Sequence, residues 1–221
     1  PNYIDEPLVL VRKLDDSISC LSNVCTHRAN IIVHNPSEQK NLRCLYHGRK
    51  FNLDGEFKSM PDFEEAKNFP RDCENLKSFP VSRLGPFLFT SLEPEFNIKK
   101  IFGEIANRLS FFKFEKLVER PDLTSEHIVK ANWAIYCENY LDPFHIPFVH
   151  KELTSVLDIN QYKTEIYDNY NLQIGYSKDD EDSFKIPEGN KDFGKKISAY
   201  YYWIFPNLML NFYPWGLSIN V

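Results

Sequence analysis

The stretches Cys25-Thr26-His27 and Cys44-Leu45-Tyr46-His47 decide the fold of the N-terminal half, and the sixteen residues 28–43 separate them. Each stretch offers one thiolate and one imidazole, so two short loops that face each other can close around a metal centre. Cysteine supplies a soft sulfur ligand and histidine a neutral nitrogen ligand. The set suits a 2Fe–2S cluster with both cysteines on one iron and both histidines on the other.

A structural zinc site is the competing interpretation, because it also uses two cysteines and two histidines. Zinc-finger spacing normally pairs cysteine with cysteine and histidine with histidine along the chain. Here each stretch carries one cysteine and one histidine, which is the arrangement of a Rieske centre. The spacing therefore favours a 2Fe–2S cluster and leaves zinc as the alternative.

The second stretch and its continuation, residues 44–55, resemble the second ligand loop of Rieske oxygenases nearly residue for residue. Arg28 after the first histidine and Gly48 after the second strengthen the resemblance. One departure is Arg49, where many members of the family have tryptophan, but that position is not a ligand. By resemblance, the ligands of the Rieske cluster are Cys25, His27, Cys44 and His47.

The other three cysteines, Cys20, Cys73 and Cys137, show no paired spacing, and we expect buried, reduced thiols. High-potential Rieske proteins of respiratory complexes resemble this pattern but add a cysteine to each loop, and the added pair forms a disulfide. Residues 26–30 and 45–46 contain no cysteine, which indicates the lower-potential oxygenase or ferredoxin branch. Because no disulfide framework is evident, we expect a cytoplasmic location.

Composition limits the classes of protein further. The chain has 221 residues, of which 43% are hydrophobic, enough for one large or two modest domains. The net charge is −5 and lysine and arginine are spread throughout, so no nucleic-acid surface is indicated. No apolar run approaches the length of a membrane span, and no signal peptide is recognisable. The chain begins at Pro1 without methionine and ends on an apolar run, so we expect a fragment of a longer protein.

Short strands separated by frequent turns predict a small antiparallel β domain over residues 1–92. The strongest hairpin signal is Asp54-Gly55 between two apolar runs, and Leu84-Gly85-Pro86 marks another turn. The predicted strands cover residues 8–14, 18–24, 31–34, 39–43, 51–53, 56–58, 79–83 and 87–91.

A boundary is predicted at Glu93-Pro94-Glu95, and a second domain covers residues 93–221. Apolar residues at helical spacing predict a helix over Ile98–Leu109, and strand-like runs interrupted by Pro121 occupy residues 117–132. Further strands are predicted at 164–167, 172–176, 197–205, 208–213 and 217–221, with a solvated acidic loop at Asp179–Asp182. The predicted fold class is α+β: an N-terminal all-β Rieske domain, then an antiparallel-sheet catalytic domain with flanking helices, helix-grip-like and truncated at its C-terminus.

The other informative stretch runs from Asn132 to His150. Residues 133–141 predict a helix, and Pro143 and Pro147 then disturb regular helix because proline lacks an amide donor. His145 and His150 can converge on one ion across this disturbed segment. The spacing alone is weak support, because two histidines near aromatic residues are more often ordinary packed or surface groups.

The surrounding pattern changes that balance. Asn132-Trp133, then Glu138 to Asp142, then the two histidines resemble the mononuclear-iron segment of the Rieske oxygenase catalytic α subunit. The resemblance implies that His145 and His150 bind a mononuclear Fe(II) within a 2-His-1-carboxylate triad, which leaves positions open for O2 and substrate. Residues 193–221 contain no Asp or Glu, so the third ligand is expected beyond the last residue of the chain.

The resemblance to this family implies that the protein is an oxygenase. It implies that electrons pass from NAD(P)H through a separate reductase or ferredoxin to the 2Fe–2S cluster and on to the mononuclear iron, where O2 is activated to hydroxylate, dihydroxylate or demethylate an organic substrate. The family also implies a ring-shaped homotrimer in which the cluster of one subunit faces the iron of its neighbour. By resemblance, Asp142 is catalytic and bridges one histidine ligand of each centre across that interface.

The substrate is inferred from resemblance alone. Residues 201–214 are more similar to oxygenases of the choline monooxygenase kind than to naphthalene-type dioxygenases. A quaternary amine such as choline is therefore expected first, and the substrate of an aromatic-ring dioxygenase second. A Rieske electron carrier is an alternative, but it would end near residue 100 and would not need His145 and His150. A zinc-stabilised binding module is the second alternative. It would be colourless, whereas a protein with a Rieske cluster is red-brown.

Overall fold

The structure is a computed structural model that describes residues 5–178 and 183–221. The chain divides into two compact units, Pro1–Asn97 and Ile98–Val221. These units meet in the sequence between residues 97 and 98. The domain boundary between residues 92 and 93 remains a prediction. The predicted acidic loop Asp179–Asp182 lies outside the described residues.

The N-terminal unit is built from short antiparallel strands, as predicted. Strands β1 (Leu8–Arg12) and β2 (Ile18–Ser22) form a hairpin, and β6 (Ser78–Phe79) pairs with the other edge of β2. A second sheet contains β3 (Leu42–Arg43), β4 (Lys50–Phe51) and β5 (Phe57–Ser59), while β7 (Val81–Leu84) pairs with β8 (Phe87–Thr90). The predicted Asp54-Gly55 turn joins β4 to β5.

One cluster of buried side chains stabilises the N-terminal unit and includes both motif cysteines. Its members are Val11, Leu21, Cys25, Ile32, Leu42, Cys44, Phe51 and Leu76. Burying a large apolar side chain contributes about 1.5–3 kcal/mol relative to leaving it exposed. The packing that stabilises the unit therefore also fixes the first residue of each ligand loop.

Several predicted strands form only in part, and two of them differ most. Residues 31–34 reduce to a single bridge between Ile31 and Val24, and residues 39–43 reduce to Leu42–Arg43. A side chain explains the first difference. Asn23 accepts a hydrogen bond from the Val33 N–H at 2.9 Å and donates one to the Val33 carbonyl at 2.8 Å, in place of a partner strand.

All five cysteines are free thiols. Cys20 and Cys137 are buried, as predicted, but the prediction was wrong for Cys73, which is exposed. Cys73 lies in a short 3-10 helix, Asp72–Glu74, in which Glu74 is the residue that is buried.

The C-terminal unit combines helices with an antiparallel sheet. The helices are α1 (Ile98–Arg108), α2 (Trp133–Leu141), α3 (Ile146–Val149) and α4 (Lys151–Val156). Strands β9 (Lys163–Ile166), β10 (Tyr170–Tyr176), β11 (Ile197–Ile204), β12 (Leu208–Tyr213) and β13 (Gly216–Asn220) pair each with the next. The α+β class is confirmed. Within the described parts of the chain, no helix has the length and apolar character to cross a membrane.

Residues 117–132, all of which the structure describes, contain no strand, so that prediction was wrong. Pro121 begins a 3-10 helix, Pro121–Leu123, and residues 124–132 form neither helix nor strand. Val118, Leu123 and Ile128 are exposed. Since strand formation depends largely on packing of one buried face, these apolar runs lack the contacts that would favour a sheet.

Side chains of the C-terminal sheet hydrogen-bond to α2, the helix that leads to Asp142, His145 and His150. Gln173, Tyr201 and Asn211 are cross-strand neighbours on β10, β11 and β12, so their side chains share one face. The Tyr140 hydroxyl of α2 donates to Asn211 Oδ1 at 2.7 Å, and Gln173 Nε2 donates to the Tyr140 carbonyl at 3.0 Å. These bonds fix the C-terminal end of α2 just before Asp142.

Candidate metal centres

The two cluster loops share one backbone hydrogen-bond pattern. In the first loop, the Cys25 N–H donates to the Asn30 carbonyl at 2.8 Å, and the Ala29 N–H donates to the Cys25 carbonyl at 2.9 Å. In the second loop, the Cys44 N–H donates to the Arg49 carbonyl at 2.9 Å, and the Gly48 N–H donates to the Cys44 carbonyl at 3.0 Å. Each loop is thus closed on its own cysteine.

The turn in each loop places a left-handed backbone four residues after the cysteine. Gly48 has a φ of +74° and Ala29 a φ of +54°. Glycine adopts this conformation without steric cost, and a Cβ at position 48 would also meet the ring of Pro61 at 3.2 Å. The left-handed backbone and the nearby Pro61 ring therefore both favour the glycine after the second histidine, which strengthened the sequence resemblance.

The four predicted cluster ligands come together as two pairs. Cys25 and Cys44 are both buried, and their sulfur atoms are close enough to share a hydrogen bond. His27 and His47 are more exposed, with ring centroids 4.7 Å apart and ring planes inclined at 71°. The structure therefore places a thiol pair inside the unit and an imidazole pair nearer its surface.

The surroundings of these groups act on their protonation. Burial raises the pKa of the Cys25 thiol. Burial also opposes ionisation of Cys44, but hydrogen bonds from the Tyr46 backbone and from Cys25 outweigh it, so the pKa of Cys44 is lowered. Burial and the neighbouring His47 lower the pKa of His27. A thiolate at Cys44 and a neutral imidazole at His27 are the forms that bind metals.

This donor set fits a 2Fe–2S cluster better than a zinc ion. In residues 5–178 and 183–221, no three His, Cys, Asp or Glu side chains are placed to hold one ion. A tetrahedral zinc site needs four donors around a single point. A Rieske cluster needs two thiolates at one iron and two imidazoles at the other. The separation of the donors into a thiol pair and an imidazole pair matches the second requirement.

The predicted iron-binding segment, residues 132–150, comprises α2, the turn after it and α3. Asn132 caps the start of α2 by accepting a hydrogen bond from the Ala134 N–H at 2.9 Å. At the other end, Asp142 Oδ1 accepts from the Phe144 N–H at 2.8 Å, and Pro143 cannot continue a regular helix. The predicted helix over residues 133–141 and its interruption are confirmed.

His145 and His150 flank the short helix α3, and their ring centroids lie 5.1 Å apart. Among the described residues, no group hydrogen-bonds to the buried Nδ1 atom of His145. Asp142 Oδ2 lies 3.5 Å from it, which is too long for a strong hydrogen bond. A buried nitrogen of this kind costs free energy unless an acceptor satisfies it, so Nδ1 is placed to donate to a carboxylate such as Asp142, which would leave Nε2 for a metal.

The C-terminal centre is incomplete in the part of the chain that the structure describes. No Asp, Glu, Cys or other His side chain there forms a three-donor group with His145 and His150. The segment is also open, because Phe144 and Phe148 are 83% and 82% exposed. The carboxylate that completes the predicted triad remains a prediction.

Sequence reasoning missed two groups beside the cluster loops. Asn30 Nδ2 donates a hydrogen bond to Cys44 Sγ at 3.7 Å, and Glu74 forms a buried ion pair with Arg49. The Arg49 guanidinium holds the pKa of Glu74 below its ordinary value. Asn30 lies outside the Cys-x-His motif, and Glu74 is 25 residues from Arg49, so no local spacing could have indicated either contact.

Comparison with known proteins establishes the family. The Rieske [2Fe-2S] domain family matches residues 2–80, and the family described as the ring hydroxylating alpha subunit (catalytic domain) matches residues 114–221. The chain belongs to the Rieske oxygenase α subunits. The predicted family is thereby confirmed, and a Rieske domain followed by an oxygenase catalytic domain implies a 2Fe–2S cluster and a non-haem iron.

Relatives of this Rieske oxygenase chain include enzymes named for quaternary amines. Choline monooxygenase, chloroplastic, from Arabidopsis thaliana is 31% identical over 96% of this chain and 51% of its own length. The carnitine monooxygenase oxygenase subunit of Escherichia coli (strain K12) is 28% identical over 96% of this chain and 56% of its own length. The chain thus spans about half the length of these relatives.

A solved structure supports the fold. The crystal structure of a quaternary ammonium Rieske monooxygenase matches with a TM-score of 0.70 and 18% identity, over 98% of this chain and 57% of that chain. At this identity the match shows a shared fold, and the choice of substrate rests on other observations.

Proposed function

We propose that this chain carries the metal-binding residues of an oxygenase that takes electrons from NAD(P)H through a reductase or ferredoxin and uses O2 to hydroxylate or demethylate a small organic substrate. One observation carries the proposal: the chain has a paired Cys/His set in one unit and, in the other, a histidine pair beside a carboxylate. A Rieske electron carrier would need only the Cys/His set of the N-terminal unit. When bound, the 2Fe–2S cluster and the iron supply one-electron transfer and O2 activation.

In the N-terminal unit, Cys25 and Cys44 would bind one iron of the cluster, and His27 and His47 the other. The thiols lie in the apolar core, where solvent is excluded. The imidazoles lie nearer the surface, where an electron donor can approach closely. Asn30 donates to the Cys44 sulfur, and hydrogen bonds to cluster sulfurs influence the reduction potential.

In the C-terminal unit, His145 and His150 would bind the mononuclear iron together with a carboxylate that the described residues do not supply. Asp142 lies 3.5 Å from His145 Nδ1, and a modest rotation would let it accept a hydrogen bond from that nitrogen. A carboxylate in this position orients the imidazole ring and increases its basicity as a ligand. In the proposed homotrimer, Asp142 also accepts from a histidine at the neighbouring subunit's cluster.

The proposed substrate is a quaternary amine, with choline and carnitine as the first candidates. The support is the similarity to choline and carnitine monooxygenases over nearly the whole of this chain. The cytoplasmic location is part of the same proposal; its support is the set of free thiols, which are typical of reducing compartments.

The test is turnover by the full-length protein, loaded with iron and supplied with a reductase, with choline, carnitine and an aromatic hydrocarbon each offered separately. We expect substrate-dependent NAD(P)H oxidation and O2 uptake, together with an oxidised product of a quaternary amine identified by mass spectrometry. If only the aromatic hydrocarbon is oxidised, the protein is an oxygenase but its substrate is not a quaternary amine. A protein with full iron content and no oxidised product would contradict the proposal.

A further inference from the structure

Arg49 stands where many Rieske oxygenases have tryptophan, and its side chain is 3% exposed. Its partner Glu74 has a side chain that is 6% exposed. Charged side chains are rarely buried unless they are paired and hydrogen-bonded. A buried ion pair directly after the second cluster loop therefore indicates a specific role.

The guanidinium of Arg49 is satisfied on several sides. Its Nη1 atom donates to Glu74 Oε2 and to Thr26 Oγ1, both at 2.8 Å, and Nε donates to Met60 Sδ at 3.4 Å. Its central carbon also lies 5.3 Å from the ring centroid of Phe57, within the range of a cation–π interaction. The guanidinium is therefore held in one position and cannot turn out toward solvent.

These contacts connect the two cluster loops. Thr26 lies between Cys25 and His27, and its hydroxyl donates to the Glu74 carbonyl at 2.8 Å while accepting from Arg49. The Arg49 carbonyl closes the second loop by accepting from the Cys44 N–H. The side chain of one residue thus reaches the first loop while its backbone forms part of the second.

We propose that the buried Arg49–Glu74 ion pair positions the two cluster loops relative to each other and sets the reduction potential of the cluster that they hold. This inference rests on the proposed assignment of a 2Fe–2S cluster to these loops. Reduction adds one negative charge to the cluster, so a fixed positive charge nearby favours the reduced form and a fixed negative charge favours the oxidised form. Because both charges are buried, salt screens them little.

The charge effect is tested by the cluster's midpoint potential in Arg49→Met and Glu74→Gln, measured at about pH 8 by redox titration with EPR detection. Arg49→Met removes the positive charge, and we expect the equilibrium constant for reduction to fall about tenfold, which is about 59 mV for a one-electron couple. Glu74→Gln removes the negative charge, and we expect a rise of similar size. Distortion of the loops alone gives no reason for opposite signs.

The matched control is Arg71→Gln. Arg71 also pairs with Glu74, at 2.9 Å, but its side chain is 68% exposed. Solvent screens an exposed charge, so the equilibrium constant for reduction should change less than about twofold. Potentials that move in the same direction in Arg49→Met and Glu74→Gln, or that stay within about twofold of wild type in both, overturn the inference.

The positioning effect is tested separately at Thr26, because a buried unpaired charge can prevent folding in the first two variants. Thr26→Val keeps the shape of the side chain and both charges but removes the hydroxyl that joins Arg49 to Glu74. We expect its cluster to bleach at least about threefold faster in the presence of an iron chelator, and Thr26→Ser to restore the wild-type rate. If Arg49→Met or Glu74→Gln does not retain its cluster, the comparison of Thr26→Val with Thr26→Ser decides the inference by itself.

A wild-type bleaching rate in Thr26→Val overturns the inference. Failure of the underlying assignment has a different signature. If the wild-type protein contains no 2Fe–2S cluster by iron and sulfide content, the proposed function fails; if it contains one and the variants do not respond as stated, only the role of Arg49 and Glu74 fails.

Discussion

The cluster loops of the N-terminal unit and the histidine segment of the C-terminal unit differ in how much of a metal site a short stretch of chain supplies. The loops around Cys25 and Cys44 repeat one hydrogen-bond pattern and bring two thiols and two imidazoles together. The segment around α3 brings two imidazoles together, with Asp142 beside one of them, and its aromatic neighbours are exposed. The Rieske donor set is therefore local in sequence, whereas the predicted facial triad needs a carboxylate that the described residues do not place beside the histidine pair.

The largest expected effect comes from removing a donor from the complete set. Cys44→Ser should abolish the visible and EPR signals of the cluster and lower the melting temperature, because serine offers no soft sulfur and Cys44 belongs to the buried core. Cys73→Ser, at an exposed thiol, should leave both unchanged. An unaltered Rieske spectrum in Cys44→Ser would contradict the ligand assignment.

Removing a donor from the incomplete set should affect turnover alone. His145→Ala or His150→Ala should reduce product formation to background while the Rieske spectrum stays intact, because the two donor sets lie in different units. His127→Ala is the matched control, since His127 is exposed and its ring contacts Ser125. Wild-type turnover by both variants would remove these histidines from the catalytic site.

A smaller effect is expected at the carboxylate beside the histidine pair. Asp142→Asn should keep both metals and the assembly but slow turnover about 10- to 100-fold, because an amide is a weaker acceptor than a carboxylate for an imidazole N–H. The measurement is single-turnover oxidation of the prereduced cluster with substrate and O2 present. Asp122→Asn, in an exposed pair with Arg120, is the control. A wild-type rate in fully loaded Asp142→Asn would exclude Asp142 from the electron path.

The smallest effect concerns acid stability, where the C-terminal unit has its own ion pair, Arg108–Glu165, with side chains that are 8% and 14% exposed. Burial opposes ionisation of Glu165, but the hydrogen bond from Arg108, at 2.5 Å, outweighs it and holds the pKa of Glu165 well below its ordinary value of 4.5. A lowered folded-state pKa adds stability that is fully present above about pH 4.5 and is lost as the pH falls below it. Glu165→Gln should cost about 2 kcal/mol at neutral pH.

The test of that pair is the melting temperature of wild type and Glu165→Gln between pH 7 and pH 3. The difference between the two proteins should shrink as the pH falls through the acid range. A difference that stays constant with pH would show that the glutamine destabilises the protein by packing and that the charge of Glu165 contributes little.

Sequence reasoning succeeded where the structure follows from neighbours in the chain. The bounds of α2 follow from the Asn132 cap and from Pro143, and the cluster loops follow from their Cys-x-His and Cys-x-x-His spacing. It failed where the outcome depends on tertiary packing. The apolar runs of residues 117–132 have the composition of strands but no partner, and the burial of Arg49 depends on Glu74, which the sequence places 25 residues away.

We propose that the chain belongs to a protein with two different metal centres. The most direct measurement is the iron and acid-labile sulfide content of the full-length protein, with its EPR spectrum, compared with a His145→Ala/His150→Ala double variant. We expect about three irons and two sulfides per chain in the wild type, and about two irons with the same Rieske spectrum in the variant. Zinc in place of iron, or equal iron in the two proteins, would contradict it.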